Sequence, residues 1–98
     1  MYPDYLTEAK RRLPLPALMA SLGDAAHARR SAPCPFHQDS RPSFSVFPSR
    51  AGGLLWKCHA GCGHGDGVDY LKLKFNLSTA DAIRRYYEFA GIRKEVKR

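Results

Sequence analysis

The sequence predicts a small α+β fold in which an antiparallel β-hairpin or small sheet is flanked by short α-helices. Three observations carry that prediction. Two clusters, Cys34-Pro35-Phe36-His37 and Cys58-His59-Ala60-Gly61-Cys62, are separated by twenty residues. The stretch between them holds two β-favouring runs around Gly52-Gly53. Amphipathic segments with capping residues lie on either side.

The elements follow in order. Asp4 is placed to cap a short helix over 4–13, with Leu6, Ala9 and Leu13 on one face and Glu8 four residues before Arg12. Pro14 stops it. A second helix is expected over 15–22, with Pro16 in its first turn and Gly23 just past its end, so the N-terminal helices occupy 4–22. Residues 24–33 form a basic, small-residue connection that includes His27, Arg29 and Arg30. Ser43-Phe44-Ser45-Val46-Phe47 and Leu54-Leu55-Trp56-Lys57 read as strands joined by a glycine turn. Asp66 caps a helix over 68–75 on which Val68, Leu71 and Phe75 share a face, and Asn76 ends it. Ser78, with Asp81 three residues on, opens a last helix over 78–90 striped by Ile83, Tyr86, Tyr87 and Ala90 and closed by Gly91. Asp81–Arg85 and Arg84–Glu88 fall four apart on its exposed side. A basic tail, 93–98, is expected to fray. The chain, 1–98, reads as a single domain with its core at about 31–72.

The clusters carry the chemistry. Zinc takes four soft or borderline ligands at tetrahedral corners, supplied as two closely spaced pairs on tight turns. Cys34, His37, Cys58 and Cys62 fit that pattern and would fill the coordination sphere, which points to one structural Zn2+ and leaves no position for a catalytic water. His64 competes at a workable spacing. His37 is preferred because it completes a Cys-x-x-His turn opposite the second pair. Three cysteines cannot all pair within one chain, and the N-terminus Met-Tyr-Pro-Asp shows no signal peptide. No stretch is long and apolar enough to span a membrane. A reducing cytoplasm is therefore expected.

Charge points to a polyanion. Sixteen basic against nine acidic side chains give a formal net charge of +7, which metallation through three thiolates lowers only to about +6. Along the strands, Phe44 and Val46 point one way, and Ser43, Ser45 and Phe47 the other. Trp56 likewise opposes Leu55 and Lys57. Aromatics on an open sheet stack on unpaired bases while cations track phosphates. Arg41, Arg50, Trp56 and Lys57 are thus the first nucleic-acid candidates, followed by Arg29 and Arg30, with the core as the competing place for Phe44, Phe47 and Trp56.

The ordered series Cys34-Pro35-Phe36-His37, Asp39, Arg41-Pro42-Ser43-Phe44-Ser45-Val46, Trp56-Lys57-Cys58, Gly65-Asp66 and Val68-Asp69-Tyr70-Leu71, with Phe89-Ala90-Gly91-Ile92 at the end, resembles the zinc-binding domain of DnaG-type bacterial and phage primases over about 13–92. One departure is local: three residues separate Cys58 from Cys62 where the family usually has two, yet Cys58 to Asp66 keeps the usual eight positions. The other is that the catalytic domain that normally follows in the family is missing from this sequence. The resemblance implies a zinc ribbon that binds single-stranded DNA and helps recognise a template site, acting in trans with a separate primase-polymerase or helicase. Polymerisation needs clustered carboxylates for magnesium, and Asp66 and Asp69 read better as first-turn helix residues. No enzyme activity is expected of the module alone. The rival readings are a protein-interaction ribbon that docks on a replication protein and an RNA-binding or regulatory ribbon.

Overall fold

Alternation of apolar and polar residues across 44–58 builds a sheet with one side for the core. The computed structural model describes residues 5–36, 42–50 and 53–92. In it β1 (Phe44–Pro48), β2 (Leu54–Cys58) and β3 (Gly63–Gly65) form an antiparallel sheet in that order. Phe44 pairs with Cys58 and Val46 with Trp56, which puts these four side chains on one face. The turn is closed by the Ser49 N–H donating to Gly53 O at 2.9 Å. Gly52 lies outside the described residues. The third strand goes beyond the expected hairpin.

The helices are α1 (Tyr5–Arg12), α2 (Leu15–Ser21), α3 (Gly67–Phe75) and α4 (Thr79–Ala90), with one 3-10 turn at Ala25–His27. Asp4, the expected first cap, lies outside the described residues. The other caps follow the sequence. Asp66 accepts from the N–H groups of Val68 and Asp69 while Asp69 accepts from Asp66 N–H, completing a capping box, and Asn76 takes the left-handed conformation at the end of α3. Ser78 accepts from Asp81 N–H, and Gly91 closes α4 with φ 73°. The charge pairs on α4 differ from expectation: Arg84 meets Asp81 at 2.7 Å and Arg85 approaches Glu88 at 3.6 Å, both at i,i+3 spacing. Each arginine takes the acid three residues away, Arg84 backward and Arg85 forward along the helix, and Arg85 also lies over the Phe75 ring.

Four rings make the centre. Phe36, Phe44, Trp56 and Tyr70 all contact one another, from 4.8 Å between Phe36 and Tyr70 to 6.4 Å between Phe44 and Tyr70. Leu18, Met19, Leu71 and Tyr86 extend the core into the helices, where α4 packs on both α3 and α1. Polar contacts fix the layers. Trp56 Nε1 donates to Asp66 O at 2.8 Å, and Lys10 Nζ reaches Asp66 Oδ2 at 2.6 Å, so one residue ties β2 and α1 to the start of α3. Asp24 is buried and accepts from the Tyr70 hydroxyl at 2.6 Å, with Lys74 Nζ at 2.8 Å. Burial, then the Asp24 carboxylate, push the Tyr70 phenol far above its ordinary range. Among the described residues every buried side-chain nitrogen and oxygen has a partner.

Two outcomes follow from this packing. Tyr70→Phe leaves the buried Asp24 carboxylate with Lys74 alone and should cost about 1–3 kcal/mol, read as a lower urea midpoint with an unchanged slope. For Asp66, burial opposes ionisation, but Lys10 and the Asp69 N–H outweigh it and hold the carboxyl below its ordinary 3.8. Its contribution is therefore present above that value and lost as pH falls through the lower folded value. Acid unfolding followed by tryptophan fluorescence should be shallower in Asp66→Asn than in the parent chain.

Candidate metal centre

The sheet itself brings the cysteines together. Residues 29–32 run beside β1, because Val46 N–H donates to Arg29 O and Ala32 exchanges both backbone bonds with Phe44, each at 2.9 Å. Ala32, Phe44, Cys58 and Gly63 thus line up in one row across four backbone segments. Cys34 lies two residues past one end of that row, and Cys62 just before the other. His27 steadies the approach by donating from Nδ1 to Pro33 O at 2.7 Å.

The three sulfurs lie within 4.8 Å of one another, the only such group of three among the described residues. Cys34 and Cys62 Sγ are 3.8 Å apart, the separation expected when two ~2.3 Å metal–sulfur bonds meet at a tetrahedral angle and far beyond the ~2.05 Å of a disulfide. None of the three is disulfide-bonded.

Their surroundings favour a cation. Burial pushes the Cys34 thiol up to about 12, against the Phe36 N–H that points at its sulfur from 3.4 Å, and the neighbouring sulfurs add to the rise. Cys58 is buried as well, but the N–H groups of Cys62 and Ala60 outweigh that burial and bring its thiol down to about 7. One sulfur therefore ionises readily while its neighbour resists. Three thiolates can share this corner only around a dication, and sulfur donors at these distances suit zinc. The extra residue before Cys62 is absorbed at Gly61, whose φ of 102° suits a residue without Cβ and lets its N–H reach Cys58 O at 3.1 Å.

The other site residues divide by position. His37 and Arg41 lie outside the described residues. His64 is exposed on β3 and is not in the sulfur group. Trp56 corrects an expectation: at 1% exposure, with its N–H bonded to Asp66, it belongs to the aromatic centre and offers no ring face to a base. The register explains it, because Trp56 pairs with Val46 on the inward face. Lys57 is exposed on the outward face, Arg29 and Arg30 are exposed along the β1 edge, and Arg50 is exposed at the β1–β2 turn. Sequence reasoning missed that His64 stands across from Lys57 on that outward face. The glycines on either side of it, Gly63 and Gly65, carry no strand preference and hid the short third strand.

Comparison with known proteins agrees with this geometry. A family model described as CHC2 zinc finger matches residues 24–98. The DNA primase of Chlamydia trachomatis is 36% identical over 72 residues, covering 67% of this chain and 11% of that protein. The DNA primase of Myxococcus xanthus is 30% identical over 89 residues, covering 89% and 14%, and that of Mycoplasma genitalium 33% identical over 62 residues, covering 63% and 10%. The chain therefore spans about a tenth of the length of the curated relatives it matches. No solved structure matches. The cofactor is one structural zinc ion in a zinc ribbon.

Structural zinc contributes on the order of 10 kcal/mol in small fingers, as much as a domain's whole stability. Chelation at neutral pH should unfold the chain, seen as loss of near-UV circular dichroism. Cys58→Ser should purify with less than one zinc per chain by elemental analysis.

Proposed function

This chain belongs to the CHC2 zinc finger family of DnaG-type primases, and on that footing we propose that it binds single-stranded template DNA and supports primer synthesis in trans with a separate primase-polymerase or helicase. The supporting observation is the outward face of the sheet. Phe47 stands opposite Leu55, and the neighbouring row runs Ser45, Lys57, His64. Arg29 and Arg30 flank it at the β1 edge and Arg50 at the turn. An apolar row beside a polar row centred on Lys57 suits a strand whose bases rest on Phe47 while its phosphates meet Lys57 and the arginines. Arg41 is proposed as a further phosphate contact, and His37 as the fourth zinc ligand.

Asp66 and Asp69 are both engaged in the α3 capping box, which supports a binding role for this module and leaves catalysis to its partner. The proposed setting is the cytoplasm of a bacterial or phage-infected cell.

Fluorescence anisotropy with short DNA tests the reading. Affinity should fall with salt at a log–log slope of about −0.7 per phosphate neutralised, and Phe47→Ala should weaken binding by about 1 kcal/mol or more. Charge reversal at Arg29, Arg50 and Lys57 should abolish binding without loss of zinc. A metallated chain that ignores DNA at low salt would overturn the proposal, and retained pull-down of a replication protein would then favour the docking alternative. Competition between matched RNA and DNA strands separates the RNA-binding alternative. With cobalt in place of zinc, His37→Ala should change the visible spectrum and His64→Ala should not.

A further inference from the structure

A groove of about 300 Å³ runs between β3 and α3, at the small end of the ~300–1,000 Å³ range of ligand pockets. It borders the metal corner through Cys62, while Cys34 and Cys58 do not line it. The ring edge of Trp56 closes its floor, and Leu73 and Leu77 form apolar walls. Leu73 is 42% exposed, one of two large apolar side chains that stand in solvent among the described residues. Position 63 keeps the groove open: a Cβ there would lie 3.3 Å from Trp56 Cη2 and 3.8 Å from Leu73 Cδ2.

The rim is polar. Asp69, which already accepts from Asp66 N–H through Oδ2 at 3.2 Å, presents a carboxylate, and Lys72 presents an ammonium that forms no ion pair among the described residues. His64 belongs both to this rim and to the outward row with Lys57. A strand crossing the outward face therefore reaches the groove by rounding the β3 edge.

We propose that this groove receives one unstacked nucleobase and prefers a base carrying an exocyclic amine over thymine. A base has two apolar faces and a polar rim, which match the leucine walls and the Asp69–Lys72 pair. An amine donates to the carboxylate, and the adjacent ring nitrogen or carbonyl accepts from the ammonium. Thymine offers only its ring N–H, flanked by two carbonyls that the carboxylate repels. An acidic peptide drawn to Lys72 would bring like charge against Asp69. The inference rests on the single-stranded DNA reading above and adds a place where sequence is read.

Trp56 is the only tryptophan, so its emission reports on the groove. The metallated full chain is titrated with oligo(dC), oligo(dT) and an abasic strand, each about eight nucleotides long. Oligo(dC) should bind about five- to tenfold tighter than oligo(dT) and alone shift the Trp56 emission. Leu73→Gln, at an exposed position, should erase that preference and leave oligo(dT) affinity unchanged within about twofold. Equal binding of all three strands with no emission change, or a preference that survives Leu73→Gln, would refute the base pocket and leave DNA binding intact. Binding of no strand at low salt would instead remove the underlying reading.

Discussion

Three sulfur atoms in a buried corner repel one another as soon as more than one is ionised, and the rest of this small protein is arranged around that constraint. The row Ala32, Phe44, Cys58, Gly63 carries the two cysteine turns to the same place. The turn amides of Phe36, Ala60 and Cys62 then lower the cost of negative charge on the sulfurs. Without a bound dication the same closeness works against the fold. With one, two segments far apart in sequence are crosslinked beside the aromatic centre. Phe36 shows the economy of the arrangement, since its N–H serves Cys34 while its ring completes the aromatic centre.

The metal does not hold the helices. That falls to Asp66, which joins Lys10, Trp56 and the α3 capping box, and to Asp24 with Tyr70 and Lys74. Tyr86 adds a bond from its hydroxyl to Leu13 O. The family match begins at residue 24, yet Lys10 and Leu13 lie before it and bond directly to matched residues. In this chain the N-terminal helices are packed parts of the unit that presents the sheet.

Much of this was legible in the residues. The α3 and α4 caps are local hydrogen-bonding devices, and Asp66, Asn76, Ser78 and Gly91 announce them without any tertiary context. The cysteine positions were equally plain, because metal spacing is short-range. Trp56 was not settled by sequence, since period-two alternation says which residues share a face but not which face is covered. Tertiary contacts with Phe36, Asp66 and Tyr70 decide that. The strand β3 was invisible because two of its three residues are glycine, which carries no strand preference. The Asp24–Tyr70 pair spans 46 positions, and no local rule foresees such a bond.

The inside–outside alternation of Trp56, Lys57 and Cys58 along β2 limits which changes the strand can accept. A substitution at Leu55 or Lys57 alters what the molecule touches and leaves its interior alone. Insertion of a single residue between Leu54 and Cys58 is another matter. It would swing an indole and a metal-binding thiol into water and drive a lysine toward the aromatic centre. The register of this strand therefore leaves its outward chemistry open to change while holding its length fixed.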